Sequence, residues 1–236
     1  MRKKKEAKKG LVYEYKFIKN PYPGFFIAFE GLDGSGNSTQ AARVANELKG
    51  RGIKVLVTKE PTNGPAGAMI RLALENRLTI DSQTLQMMFT VDRADHLGGE
   101  RGITERLKKG EAVISDRFLA STLAFGYASG LDMNWLSALQ SKFFLPDKTF
   151  FLDVDPELCI KRIKEGRFGL DLFEKKESLE KAKEGYSIVG KMFPRSMIVV
   201  NGEDKIEKIT KRILSDIEKM RKYKNIIKST QQALIE

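Results

Sequence analysis

The sequence is poor in the residues on which several classes of protein depend. Cys159 is its single cysteine among 236 residues, so no disulfide framework forms within the chain, and this composition favours a reducing compartment. No apolar run approaches the roughly 20 residues that a membrane span requires, and no apolar segment typical of a secretory signal follows the charged N-terminus. We therefore expect a soluble, cytoplasmic protein in which Cys159 simply packs in the interior.

Acidic residues are scarce relative to basic ones, and the formal net charge is +11. Much of this excess lies at the N-terminus, where residues 1–20 contain eight Lys or Arg against two Glu. Such a tail is more often a solvated terminus than a binding arm, so we expect no specific nucleic-acid partner and no membrane partner. We predict a mobile basic extension (residues 1–24), one folded domain (residues 25–223) and a C-terminal tail (residues 224–236).

Short apolar runs alternate with helical patterns along the domain. Each run is continuous in apolarity rather than alternating, which predicts strands that are covered on both faces. The order of strand and helix predicts an α/β fold with a five-stranded parallel sheet flanked by helices. The predicted strands are Phe25–Phe29, Ile53–Thr58, Ala112–Ser115, Thr149–Asp153 and Met197–Val200. The predicted helices include Ser38–Lys49, a long one from Asp81 or Ser82 through Lys108, one that Asp155 and Pro156 begin, and Glu203–Tyr223.

A glycine-rich segment joins the first predicted strand to the first predicted helix. Residues 31–38 read Gly-Leu-Asp-Gly-Ser-Gly-Asn-Ser, which is the pattern G-x-x-x-x-G-K-[ST] of a phosphate-binding loop with one mismatch. In that pattern the glycines let backbone N–H groups face a phosphate, and the Ser38 hydroxyl can reach Mg²⁺. The alternative is a tight glycine-rich turn without a ligand, but the flanking strand and helix favour a phosphate site. Asn37 stands where the pattern requires lysine.

Several further segments follow this loop in an order that resembles the thymidylate kinases, which are nucleoside monophosphate kinases. The resemblance covers roughly residues 25–220. It rests on the residues Phe29–Gln40 (FEGLDGSGNSTQ), Lys59–Thr62 (KEPT), Met88–Arg93 (MFTVDR), Asp116–Phe118 (DRF), and Pro146-Asp147 leading to Leu152–Asp155 (LDVD). It implies the P-loop NTPase fold with a lid segment (about residues 164–178), a homodimer, and the phosphorylation of dTMP to dTDP with ATP and Mg²⁺.

The resemblance also implies roles for individual residues. Asp33, Arg117 and Arg167 would be catalytic, and Ser38 and Asp116 would hold the metal. ATP would bind to Gly31, Gly34, Ser35, Gly36, Asn37, Ser38, Thr39 and Arg162. The acceptor nucleotide would bind to Glu60, Phe89, Arg93, Ser121, Thr122 and Phe125. From the residues alone, Phe89 and Arg93 fit equally well a core aromatic beside a solvated cation. We expect His96 to be a pocket-rim or packing residue rather than a catalyst.

The sequence departs from the family's pattern at three positions, and two of these departures remove a cation. Asn37 replaces the loop lysine, Leu172 replaces an arginine of the lid, and Phe118 replaces a tyrosine. Losing one comparable hydrogen-bond donor costs about 10²–10³ in rate. Two hypotheses follow: a working kinase in which Lys59, Lys164 or Lys175 compensates, or a protein that binds nucleotide without useful turnover and serves as a sensor or partner. A kinase for another nucleoside monophosphate is a third.

Overall fold

The computed structural model describes residues 16–99, 102–166 and 175–232. A five-stranded parallel sheet forms its centre, and a two-stranded parallel sheet lies beside it. In chain order the strands are β1 (Ile18–Lys19), β2 (Phe26–Gly31), β3 (Val55–Lys59), β4 (Ala112–Asp116), β5 (Phe144–Leu145), β6 (Lys148–Asp153) and β7 (Met197–Asn201). The large sheet has the order β3-β4-β2-β6-β7, so the strand that precedes the glycine-rich loop lies at its centre.

The helices cover both faces of this sheet. They are α1 (Asn37–Gly50), α2 (Pro65–Leu74), α3 (Ser82–Leu97), α4 (Ile103–Lys108), α5 (Leu119–Ala128), α6 (Met133–Gln140), α7 (Pro156–Gly166), α8 (Lys176–Met192), α9 (Ile206–Glu218) and α10 (Arg221–Gln232). One apolar core joins the sheet to α5 and α8, and a second joins it to α1 and α9. Cys159 is fully buried in the first core, as predicted.

The five predicted strands of the large sheet are confirmed, and the α/β class with them. The expectation that every strand is covered on both faces was wrong for the two edge strands. Val57 in β3 is 42% exposed and Val199 in β7 is 62% exposed. Apolarity along a short run reports the average environment of a strand, so it does not distinguish an edge strand from the fully buried β2.

Two predicted helices were wrong in extent. The long helix that we expected through Lys108 ends at Leu97, because Gly98 is extended and Gly99 has a φ of 72°, a left-handed conformation that glycine adopts without strain. The C-terminal helix that we expected at Glu203–Tyr223 is divided into α9 and α10. As a result, residues 224–232 of the expected tail are helical.

The boundary that we expected at residue 25 lies earlier in the chain. β1 pairs with β5, and Phe17 makes an edge contact with Phe193 at 4.9 Å between ring centroids. The Asn20 side-chain amide donates to Asp147 at 2.7 Å. Residues 16–24 therefore belong to the folded unit, and the rest of the expected extension, residues 1–15, lies outside the described residues. No helix within the described ranges is both long and apolar enough to cross a membrane.

Candidate functional site

The glycine-rich loop (Gly31–Ser38) lies at the carboxyl end of β2, where ligands bind in open α/β sheets. Gly34 and Gly36 have φ values of 81° and 98°, which side chains rarely allow. A Cβ on Gly34 would lie 2.6 Å from the Cys159 carbonyl oxygen. Helix α1 begins directly after Gly36, so the N–H groups of its first turn, which have no acceptor inside the helix, are directed toward the loop.

The Asn37 side chain closes this loop onto the strand. With its amide oriented so that both ends are satisfied, Nδ2 donates to the Glu30 carbonyl oxygen at 3.0 Å and to the Ser35 hydroxyl at 3.3 Å. Oδ1 accepts from the Gly31 N–H at 3.2 Å. The side chain is buried, with 6% of the residue exposed. Asn37 therefore holds the loop in shape and contributes no positive charge to it.

Ser38 and Asp116 meet beside the loop. The Ser38 hydroxyl donates to the carboxylate of Asp116. Asp116 is the last residue of β4, which is the neighbour of β2 in the sheet. Oxygen ligands of this kind suit Mg²⁺, which usually keeps several waters and takes other ligands from substrate phosphates. Among the described residues, no group of three or more His, Cys, Asp and Glu could hold a metal by itself. The pair thus fits an ion that arrives with a nucleotide.

Arg117 joins the loop to the strand next to it. Its Nη2 donates to Asp33 Oδ1 at 2.7 Å, and its Nη1 donates to the Gly31 carbonyl oxygen at 2.8 Å. The residue has a φ of 67°, an uncommon conformation for a side chain of this size. Such strain is found mostly at functional sites, where the surrounding contacts maintain it. The guanidinium is therefore held in one position.

A buried carboxyl group, Glu30, is linked to Arg117 through Ser121 and Tyr186, which form hydrogen bonds with both residues. Glu30 accepts hydrogen bonds from the Phe118 N–H at 2.9 Å, from Tyr186 at 3.1 Å and from Ser121. Burial raises the pKa of Glu30 from its ordinary value of 4.5 to about 7, although these hydrogen bonds and the nearby Arg117 oppose the shift. Glu30 therefore changes its charge close to neutral pH. Neither Glu30 nor Tyr186 was predicted from the sequence as a site residue.

Two cavities flank the pair Asp33 and Arg117, and both residues line each of them. The first has a volume of about 490 Å³ and is open toward solvent. Besides Asp33 and Arg117, it is lined by Asp116 and Arg162, by the loop and the start of α1, and by residues after β7. The loop and α1 residues are Leu32, Gly34, Ser35, Gly36, Asn37, Ser38, Thr39 and Gln40, and those after β7 are Gly202, Asp204, Ile206 and Ile209. Arg162 Nη1 lies 3.4 Å from the Gly34 carbonyl oxygen. Residues after β7 were not predicted here.

The second cavity is smaller, about 150 Å³, and more apolar. It combines aromatic rings with polar side chains. Besides Asp33 and Arg117, it is lined by Glu60, Pro61, Leu74, Gln86, Phe89, Arg93, Phe118, Ser121, Thr122 and Phe125. All six predicted acceptor residues therefore lie around one space, and the predicted ATP-binding residues, apart from Gly31, lie around the other. Pockets of this composition are typical of small-molecule sites.

Several contacts hold the Arg93 side chain at the wall of the second cavity. Its guanidinium donates to Glu60, to Gln140 and, at 2.9 Å, to Thr122. It also lies over the Phe118 ring, 4.7 Å from the centroid. Arg93 is 1% exposed, so the alternative of a solvated cation was wrong. Four of its five N–H groups have acceptors among the described residues.

His96 lies behind this network rather than in the cavity. Its Nδ1 is 3.1 Å from Glu60 Oε1, and its Nε2 is 2.6 Å from the Thr58 hydroxyl. It thus positions Glu60, in line with a packing role. Lys59 lines a neighbouring cleft together with Ser38 and Asp116. Arg167, and with it Leu172 and the middle of the predicted lid, lies outside the described residues.

The fold and the site together define a nucleotide phosphotransferase of the P-loop class. The glycine-rich loop lies at the centre of a parallel sheet, the Ser38 and Asp116 pair lies beside it, and the two cavities meet at Arg117. The family model of thymidylate kinase matches residues 29–213. The chain belongs to the thymidylate kinase family.

Curated relatives agree with this assignment. The chain is 37% identical over 198 residues to a probable thymidylate kinase of Pyrococcus horikoshii, covering 81% of this chain and 95% of the relative. It is 34% identical over 201 residues to a probable thymidylate kinase of Thermococcus kodakarensis, covering 82% and 97%. It is 35% identical over 193 residues to one of Sulfurisphaera tokodaii, covering 81% and 95%.

Proposed function

We propose that this protein transfers the γ-phosphoryl group of ATP to dTMP, with Mg²⁺, and yields dTDP and ADP. The observation that carries the proposal is the position of Asp33 and Arg117 between two cavities, one beside the glycine-rich loop and one lined by aromatic and polar side chains. A phosphoryl transfer requires two nucleotides whose phosphates meet, and this arrangement supplies one site for each. The family and its relatives support the choice of dTMP.

In this proposal ATP occupies the first cavity. The N–H groups of the loop and of the first turn of α1 bind its phosphates, and Ser38 and Asp116 hold Mg²⁺, which neutralises charge on the phosphate oxygens. Gly31, Gly34, Ser35, Gly36 and Asn37 shape the loop, and Thr39 and Arg162 line the same cavity. The buried amide of Asn37 supports ATP binding by keeping the loop closed.

The acceptor nucleotide occupies the second cavity. We assign Phe89 to stacking on the base, because an aromatic ring and a base offer each other flat apolar faces. Arg93 donates its remaining N–H to the base, and Glu60 holds the guanidinium for that contact. Thr122 and Ser121 reach the cavity with hydroxyls that are already paired to Arg93 and Glu30, and Phe125 supplies a second aromatic wall.

The bond that breaks joins the γ-phosphorus to the oxygen bridging it to the β-phosphorus, and the new bond joins that phosphorus to a phosphate oxygen of dTMP. This acceptor oxygen carries a negative charge, so no base is needed to activate it. The protein's task is to position the two phosphates and to stabilise charge. We assign the second task to Arg117, Arg162 and, from its neighbouring cleft, Lys59. From the resemblance alone, we propose that Arg167 also stabilises this charge.

A second candidate is a protein that binds nucleotide without useful turnover. The observation that favours it is Asn37, whose side chain faces the strand and brings no positive charge to the loop. The test is steady-state phosphorylation of dTMP by ATP and Mg²⁺, comparing the protein with Asn37→Lys. We expect turnover in both, and a gain of less than about tenfold in the variant, because Arg117 and Arg162 already line the first cavity.

Other outcomes of the same experiment choose between the candidates. ATP binding by calorimetry without turnover of any acceptor would establish the binding protein. A gain of about 10²–10³ in Asn37→Lys would mean that no other cation replaces the lysine. Faster turnover of dUMP, UMP or CMP than of dTMP would point to a kinase for another nucleoside monophosphate.

We further propose that the protein acts in the cytoplasm, a reducing compartment that suits its single cysteine. We also propose that it forms a homodimer through α2 and α3. The two helices pack on each other, and both carry large exposed apolar side chains: Met69 and Leu72 on α2, and Met87 and Val91 on α3. A second copy would cover this face. Sedimentation should give a dimer that Val91→Lys dissociates, whereas Val199→Lys, equally exposed on β7, should leave it intact. A monomeric unsubstituted protein would contradict the proposal.

A further inference from the structure

One buried polar side chain of the second cavity lacks a hydrogen-bond partner. Gln86 is 0% exposed, and neither its Nε2 nor its Oε1 has a partner among the described residues. The residue lies on α3 three positions before Phe89 and seven before Arg93, which are spacings that place side chains on one face of a helix. All three line the same cavity.

The other polar groups around this cavity are paired. Glu60 accepts from Arg93, Thr122 accepts from Arg93, and Ser121 donates to Glu30. A buried amide that lacks all of its hydrogen bonds is unfavourable and rare in native proteins. At the wall of a binding cavity, a ligand supplies the missing partners, and a site built in this way rejects ligands that cannot supply them.

We propose that Gln86 is a specificity-determining residue whose side-chain amide hydrogen-bonds the edge of the acceptor's base. This inference rests on the proposed function and adds a second polar contact to that of Arg93. A primary amide presents a donor and an acceptor side by side, so it pairs with a ring N–H next to a carbonyl. Thymine and uracil have this edge at N3.

Arg93 further limits which bases the second cavity can accept. A guanidinium only donates, so its remaining N–H requires a carbonyl oxygen on the base. An amide can rotate to pair with cytosine, but the amino group of cytosine would face the guanidinium with a second donor. Together, Gln86 and Arg93 select a pyrimidine in which two carbonyls flank an N–H.

The test compares Gln86→Met with Gln83→Met. Methionine keeps a similar length and removes the amide, and Gln83 is an exposed glutamine on the same helix, which makes it a matched control. We expect Gln86→Met to weaken dTMP binding and raise its KM about tenfold, the loss of one or two hydrogen bonds. The kcat and the KM for ATP should remain close to those of the unsubstituted protein, and the thermal midpoint should not fall, because an unpaired buried amide is removed.

An altered acceptor provides the second measurement, and it uses the unsubstituted protein. N3-methyl-dTMP lacks the ring N–H, so we expect it to bind about tenfold more weakly than dTMP. In Gln86→Met this difference between the two acceptors should disappear. Equal binding of dTMP and N3-methyl-dTMP by the unsubstituted protein would overturn the inference even if Gln86→Met failed to fold.

Two failures are distinguishable by calorimetry. If the unsubstituted protein binds dTMP and folded Gln86→Met binds it equally well, Gln86 does not contact the base, and the proposed function still stands. If the unsubstituted protein binds ATP but neither binds nor phosphorylates dTMP, the proposed function fails, and the inference about Gln86 fails with it.

Discussion

Asp33 Oδ1 accepts a hydrogen bond from Arg117 Nη2 at 2.7 Å, and these two residues line both cavities of the site. The Asp33 carboxylate holds the guanidinium between the two spaces, and the Gly31 carbonyl oxygen fixes it from the strand. Positive charge is thus present where two nucleotide phosphates would meet. Preorganised charge of this kind acts on a transition state without first having to reorganise.

Arg117→Lys should lower kcat for dTMP phosphorylation by about 10²–10³. An ammonium group cannot make the several planar contacts of the guanidinium at once, so the charge would lose its fixed position. Steady-state kinetics with both substrates varied measures the effect. Arg43→Lys, at an exposed contact with Glu207, should leave kcat unchanged. An unaltered kcat in Arg117→Lys would remove Arg117 from the catalytic group.

Phe89→Ala should weaken dTMP binding by about 1–3 kcal/mol, which is the range for loss of base stacking on an aromatic ring. Calorimetric titration with dTMP measures the loss, and ATP affinity should not change. Val199→Ala, on β7 and 62% exposed, is the control with intact binding. Undiminished dTMP affinity in Phe89→Ala would place the ring outside the acceptor site.

Glu30 should make stability depend on pH. Burial raises its pKa from 4.5 to about 7 in the folded protein. Between these values the folded protein keeps a proton that the unfolded chain has lost. The contribution of Glu30 to the free energy of unfolding should therefore be largest below pH 4.5. It should be lost as the pH rises from 4.5 through about 7. The change is on the order of 3 kcal/mol.

Glu30→Gln does not titrate, so this part of the pH dependence should disappear. Denaturant unfolding at several pH values between 4.5 and 8 measures the slope for both proteins. Glu184→Gln, at an exposed position of α8, should keep the slope of the unsubstituted protein. If Glu30→Gln kept that slope as well, another group would be responsible for it.

Gly34→Ala should reduce both stability and ATP affinity. A Cβ there lies 2.6 Å from the Cys159 carbonyl oxygen, and the φ of 81° is itself unfavourable for alanine. Gly110→Ala shares the second problem only, because its φ is 75° and nothing lies within 4 Å of the new Cβ. Backbone strain alone costs about 1–2 kcal/mol. We expect Gly34→Ala to lose more stability than Gly110→Ala, and only Gly34→Ala to weaken ATP binding, by calorimetry.

Local patterns in the sequence predicted much of the fold. Continuous apolar runs identified the five strands of the large sheet, and the spacing of Gly31, Gly34 and Gly36 identified the loop, because these signals depend on residues that are neighbours in the chain. The same patterns missed the end of α3 at Leu97 and the division between α9 and α10. Helix ends depend on capping and packing, which periodicity alone reports poorly.

The sequence by itself determined the α/β fold, the glycine-rich loop and the presence of Asn37 where the loop pattern requires lysine. The tertiary structure decided what these features do. Only the order of the strands brings Asp33 to Arg117 and Ser38 to Asp116, and only packing buries Glu30 and leaves Gln86 without a partner. Such contacts join residues that are far apart in the chain, so their energies depend on burial and geometry that no local pattern contains. Asn37, which the sequence marked as a missing charge, is in the folded protein an amide that closes the loop.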